Sequence, residues 1–215
     1  MQRFNHIKTI IWDWNGTLLN DAGFCVTCMN KVLEKRNMQK IDINQYRDSF
    51  TFPVKEYYKT IGFDFKKEKF EVPAMEFIDQ YYSHLSEAEL HTCATDVLEF
   101  FKRSGIKQLV LSAMEHENLL VSLTDKGIID FFDDISGIND HYAHSKLEMG
   151  MDLIERTGII LNTALMIGDT IHDLEVASEL GIDCILVSNG HQSKERLQKA
   201  TPNVISKLSD IISLF

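Results

Sequence analysis

No apolar run in this chain approaches the roughly 20 residues that a membrane-spanning helix needs. Positive charge is scarce as well: 22 lysines and arginines face 32 aspartates and glutamates, a formal net charge of −10. That balance disfavours nonspecific binding to nucleic acid or to an anionic membrane surface. It does not exclude an anionic substrate, because a bound divalent cation inverts the local field. Cysteine is sparse, with Cys25, Cys28, Cys93 and Cys184. Cys25 and Cys28 form a C-x-x-C, but no second pair completes a zinc site. Their spacing puts both on one face of an expected helix, as buried or half-buried thiols. The segment Met1 to His6 lacks the charge-then-apolar pattern of a secretory leader, so a cytoplasmic location is expected. Internal repeats and low-complexity linkers are missing too, and nothing in the composition sets an oligomeric state.

What is present is an ordinary globular composition, 44% hydrophobic and 25% charged over 215 residues, enough for one large domain or one domain with an insert. The run Ile7 to Trp12 is β-branched and apolar, reads as a buried strand of a parallel sheet, and ends in Asp13 with an Asn15-Gly16 turn behind it. Residues 19–91 have helical period and no convincing strand. Asp21 is the expected cap of a helix through Cys25, Met29, Val32 and Leu33. A short helix near 43–50 stops before Phe52-Pro53, another starts at Pro53 and ends at Gly62, and a longer one covers roughly 67–87. The apolar side of that last helix, with Phe70, Met75, Phe77, Tyr81 and Tyr82, reads as a packing face.

From about Thr92 the chain alternates helix and strand. Expected helices end at Gly105, Gly127, Gly158 and Gly181; expected strands are 108–111, 134–137, 164–167 and 184–187, with a terminal strand and helix. Such alternation implies an α/β fold: a Rossmann-like, mostly parallel sheet with helices on both faces. The helical block becomes an insert after the first strand, giving a core of 1–18 and 92–215 and a cap of 19–91.

Strand ends then share one edge, the edge at which open α/β sheets bind ligands. Strand one delivers Asp13, a later strand Ser112, another Asp169 with Asp173 one helical turn on, and Lys146 starts a helix near the same mouth. Converging carboxylates repel unless one is protonated or a cation lies between them. A hard divalent ion with few carboxylates and several waters is typical of magnesium. Carboxylate, hydroxyl, lysine and metal together suit phosphoryl transfer.

In this order, Asp13-Trp14-Asn15-Gly16-Thr17-Leu18, Ser112, Lys146 and Gly168-Asp169-Thr170-Ile171-His172-Asp173 resemble the four motifs of the haloacid dehalogenase superfamily, in its phosphoglycolate phosphatase-like branch with a small helical cap. The resemblance implies a Mg²⁺-dependent phosphatase of a small phosphorylated metabolite. It makes Asp13 the nucleophile that forms an aspartyl-phosphate and Thr17 the residue orienting the loop. Ser112 and Lys146 would hold phosphoryl oxygens with the amides around Trp14 and Ala113. Asp13, the backbone carbonyl of Asn15 and Asp169 would bind the metal, with Asp173 as an additional carboxylate.

Asn15 departs from that pattern, which usually has a second aspartate there as general acid and base. An amide does neither job, and such help is typically worth roughly 10²–10⁴ in rate. Several explanations stay open: activated substrates such as acyl phosphates or pyrophosphate; a substitute acid, with His84, His91, His116 or His172 in sequence reach; a slow or non-hydrolytic phosphoryl-binding relative; or deamidation at Asn15-Gly16. Asp140, His141 and His144 read as a polar loop, and Lys66, Lys67 and Lys69 as a solvated face.

Overall fold

The computed structural model describes residues 4–138 and 146–215, so Asp140, His141 and His144 lie outside the described residues. The first strand, β1 (Thr9–Trp12), is buried along its whole length and sits mid-sheet. After the 13–18 loop come a two-residue strand β2 (Leu19–Asn20) and four helices, α1 (Ala22–Glu34), α2 (Ile43–Ser49), α3 (Val54–Thr60) and α4 (Glu71–Ser83). A second short strand, β3 (Glu89–Leu90), pairs antiparallel with β2, so the chain leaves and re-enters the sheet side by side. Two residues carry no periodicity, which is why neither strand was visible in sequence.

The rest alternates helix and strand, with α9 an unexpected addition before the terminal strand and a 3₁₀ segment in place of the terminal helix: α5 (Ala94–Arg103), β4 (Lys107–Glu115), α6 (His116–Asp125), β5 (Asp134–Ile138), α7 (Lys146–Thr157), β6 (Ala164–Gly168), α8 (Ile171–Leu180), β7 (Asp183–Val187), α9 (Lys194–Ala200) and β8 (Val204–Ile205), closed at Leu208–Leu214. The six long-sheet strands run β5-β4-β1-β6-β7-β8 and every pairing is parallel. Alternate residues of the strands feed opposite faces, Ile10 and Trp12 one cluster and Ile11, Leu109 and Met166 the other. All the strands therefore point their carboxyl ends at one edge. No helix among the described residues is long and apolar enough to cross a membrane.

Local differences from the sequence reading have physical causes. β4 does not stop at Ser112 but runs to Glu115, with a register shift against β5 between Leu111 and Glu115. Pro73 lies in the first turn of α4, where its missing N–H costs little, and Met75 is exposed rather than on the packed side. Cys25 and Cys28 are buried on α1, as their spacing implied.

Candidate active site

Asp13 is the first residue after β1, its amide still held by Ile167 O at 2.8 Å. The chain then turns sharply, with Trp14 O accepting from the amides of Thr17, Leu18 and Leu19. Gly16 is required twice over: its φ is +75°, and a Cβ there would collide with the Asp169 carboxylate and the His191 ring. Asp169 follows β6 directly, and Thr170 and Asp173 form a reciprocal cap at the start of α8.

These strand ends converge. Lys146, buried at the start of α7, bonds Asp13 Oδ1 and reaches Asp173 Oδ1 at 2.5 Å. The Thr17 hydroxyl lies 3.1 Å from Asp13 Oδ2 and 3.2 Å from Asp169 Oδ1, tying the two carboxylates together. The other Asp173 oxygen accepts from Thr170 N at 2.9 Å and Thr170 Oγ1 at 2.7 Å. Burial raises the Asp13 carboxyl above its usual range despite Lys146, with Asp173 adding. Burial also raises Asp169, against the pull of His191 and with Asp13 and Asp173 adding. Burial would lift Asp173 too, but Lys146 and Thr170 hold it below the usual range. Lysine burial is in turn more than offset by the two carboxylates, which keep Lys146 charged.

Oxygens of Asp13, Asp169 and Asp173 lie within 4.8 Å of one another, all buried. Three buried carboxylates facing one ammonium are short of positive charge, and oxygen donors at this spacing suit a hard divalent cation. The residues present fit such an ion.

A second buried group, which the sequence reading missed, lies beside the first. Asp21 occupies the N-cap position of α1 but makes no cap hydrogen bond. Its carboxylate turns back instead, accepting from Gly16 N at 2.8 Å, Asn15 Nδ2 at 2.9 Å and Tyr81 Oη at 2.7 Å, and pairing with His191 Nε2 at 3.2 Å. Burial would raise Asp21, but His191, Tyr81 and Asn15 hold it below the usual range. Burial would depress His191, but Asp21 and then Asp169 push it up to about 9. Cys25 touches Asp21, and burial raises its thiol well above normal. His191 follows β7 at the same sheet edge, with its amide on Asp169 Oδ2 at 2.5 Å. The strand-end rule that found Asp169 was not applied to this loop, which follows β7 at the same edge and so carried the signal that could have found His191.

Of the residues expected from sequence, Asp13, Asn15, Ala113, Lys146, Asp169 and Asp173 line one cavity of about 400 Å³. Trp14, Thr17 and Ser112 sit buried behind it; Ser112 Oγ accepts from Met114 N at 3.0 Å. The four histidines considered as substitute acids divide. His172 lines the cavity. His91 is taken up structurally, donating to Gly16 O and accepting from Asn189, and burial lowers its pKa. His84 bonds Gln80 O and His116 bonds the Gly137 amide.

A family model described as haloacid dehalogenase-like hydrolase matches residues 10–187. The probable phosphatase IndB of Dickeya dadantii is 27% identical over 206 residues, covering 91% of this chain and 87% of that protein. Among solved structures, a haloacid dehalogenase-like family hydrolase from Streptococcus pneumoniae superposes with a TM-score of 0.83 at 20% identity, over 97% of this chain and 98% of that one. A predicted phosphoglycolate phosphatase from Haemophilus somnus superposes at 0.77 and 18% identity, over 98% of each chain.

Proposed function

The chain belongs to the haloacid dehalogenase-like hydrolase family, and from that premise we propose that it is a divalent-metal-dependent phosphohydrolase of a small phosphorylated compound, working through an aspartyl-phosphate on Asp13. The observation that carries this reading is the buried Asp13–Lys146–Asp173 bridge with Asp169 beside it, at the carboxyl edge of a parallel sheet. The names of the relatives, phosphatases among them, agree with it.

In this reading an Asp13 oxygen attacks phosphorus in line with the leaving oxygen, and the P–O bond to the organic group breaks. Lys146 and the amides near Trp14 and Ala113 hold the phosphoryl oxygens, with the Ser112 hydroxyl buried behind them fixing the Met114 amide at 3.0 Å. Thr17 keeps the Asp13 carboxylate oriented through its 3.1 Å hydrogen bond. Water then attacks phosphorus, the P–O bond to Asp13 breaks, and phosphate leaves with the carboxylate restored. Asp13, the Asn15 carbonyl and Asp169, with Asp173 close behind, would hold Mg²⁺, which when bound neutralises phosphoryl charge. Residues 19–91 act as the cap over a core of 1–18 and 92–215.

Asn15 sets the limit on rate. Its amide donates to Asp21 and Tyr81, so it neither gives a proton to the leaving oxygen nor takes one from water. Asp21 does not replace the missing acid, since its partners keep it ionised. The enzyme therefore favours leaving groups that depart with little protonation. The test is phosphate release from acetyl phosphate and alkyl monoesters with and without chelator. Metal-dependent release from acetyl phosphate is expected; absence of release from every compound contradicts the reading.

A further inference from the structure

The cavity above Asp13 is built for a ring. Away from the carboxylates its wall is aromatic and aliphatic, with Tyr46, Phe50, Tyr57, Tyr58, Phe70 and Phe77 prominent in it. These rings are already packed on one another, Tyr46 on Phe50 at 5.1 Å and Tyr57 on Tyr58 at 5.8 Å between centroids, so the wall is preformed. About 400 Å³ lies in the range of pockets that enclose drug-sized organic ligands and exceeds what a small carboxylate fills.

Charge narrows the ligand further. Among the described lining residues the one lysine or arginine is Lys146, already engaged by Asp13 and Asp173. His191 is engaged by Asp21, and Glu115 adds another carboxylate, bonded to the start of α6. A second anionic group on the substrate, such as the carboxylate of phosphoglycolate, would enter an apolar chamber where, among the described lining residues, no lysine or arginine is free to meet it and His172 lies 3.5 Å from the Glu175 carboxylate. An uncharged ring meets mostly apolar surface there.

Resting on the phosphohydrolase reading above, we propose that the substrate class is a phosphate monoester of an uncharged aromatic hydroxyl compound, its ring held by the aromatic chamber and its phosphoryl group at Asp13. Two independent features of this chain meet in that class. The chamber selects the ring, and Asn15 selects the leaving group: a phenolic oxygen, with a pKa near 10, departs as phenoxide far more readily than an alkoxide. In the first step the bond from an Asp13 oxygen to phosphorus forms and the bond from phosphorus to the aryl oxygen breaks. The electron pair leaves on that oxygen, which solvent then protonates.

The test separates ring binding from leaving-group reactivity by using non-hydrolysable ligands. Dissociation constants of phenylphosphonate and phosphonoacetate are measured by calorimetry on the full chain with magnesium. Phenylphosphonate is expected to bind at least about tenfold tighter. Phe77→Ala, checked for folding by circular dichroism, should weaken phenylphosphonate about five- to tenfold more than it weakens inorganic phosphate. Equal binding of the two phosphonates, or tighter binding of phosphonoacetate, overturns the proposal; this wild-type comparison stands even if the variant does not fold. Phosphate release from phenyl phosphate and from acetyl phosphate is read in parallel. Release from acetyl phosphate without the phosphonate preference sinks the aryl class alone. The preference without release from either compound removes hydrolysis and leaves the ligand class supported.

Discussion

The two ends of the cavity are made by different means. At the sheet edge, a few ionised groups are fixed in a network where each oxygen is assigned: Lys146 between Asp13 and Asp173, Thr17 between Asp13 and Asp169, Thr170 on Asp173. At the helical end, many rings each contribute a little surface and none is singular. The difference means that chemistry rests on single atoms and ligand choice on a summed surface. Substitutions at the first end should act in steps, and those at the second in increments.

Removing the proposed nucleophile is the harshest way to probe that contrast. Asp13→Asn keeps the shape of the site and should lower phosphate release by about 10⁴-fold or more, whereas no single aromatic substitution should approach that. Asn15→Asp comes next, in the opposite direction. A restored carboxyl should raise turnover of alkyl monoesters by roughly 10²–10⁴ and that of acyl or aryl phosphates by less. It would also sit against Asp21, whose Oδ2 is 2.9 Å from Asn15 Nδ2, so one of the two carboxyls must take up a proton. A loss of about 1–3 kcal/mol in stability, read by denaturant titration, is the expected cost. If activity on alkyl esters does not rise, the missing acid is not what limits the enzyme.

Gly190→Ala tests the fixed geometry from outside the polar network. An added Cβ would overlap the Asp169 carboxylate and come within 2.5 Å of Gly16 O. Metal affinity should fall about 10- to 100-fold, seen as a higher magnesium requirement for turnover, with a stability loss of about 1–3 kcal/mol.

The smallest effect concerns pH. His191 is raised from 6.5 to about 9 in the folded chain, so its stabilising contribution is fully present below pH 6.5 and is lost as pH rises through about 9. The raised Asp169 acts with the same sign in metal-free protein. Melting temperature in chelator should therefore decline across pH 6.5 to 9, and His191→Gln should flatten that decline. An unchanged slope in the variant would show that the Asp21–His191 pair does not titrate as described.

The same contrast explains what could be read from the sequence. Asp13, Asp169 and Asp173 are legible because strand, acid and turn are contiguous, and their convergence follows from parallel topology. Lys146 and Ser112 were picked by order along the chain; Lys146 reaches the carboxylates, whereas Ser112 lies buried behind the cavity in a strand that continues to Glu115. Asp21 was misassigned because a carboxylate before a helix resembles a cap, and only its distant partners Tyr81 and His191 reveal where it turns. The aromatic chamber was illegible for a deeper reason. Rings at helical spacing give one pattern whether they fill a core or line a cavity, and Phe70, Phe77, Tyr81 and Tyr82 do both.

A covalent phosphoryl group at Asp13 is the most direct consequence of the proposed mechanism. Wild-type protein is incubated with acetyl phosphate and magnesium, quenched in acid, and digested for mass spectrometry. A phosphoryl adduct on the peptide carrying Asp13, absent in Asp13→Asn, is the predicted result. Undiminished phosphate release by Asp13→Asn would contradict it.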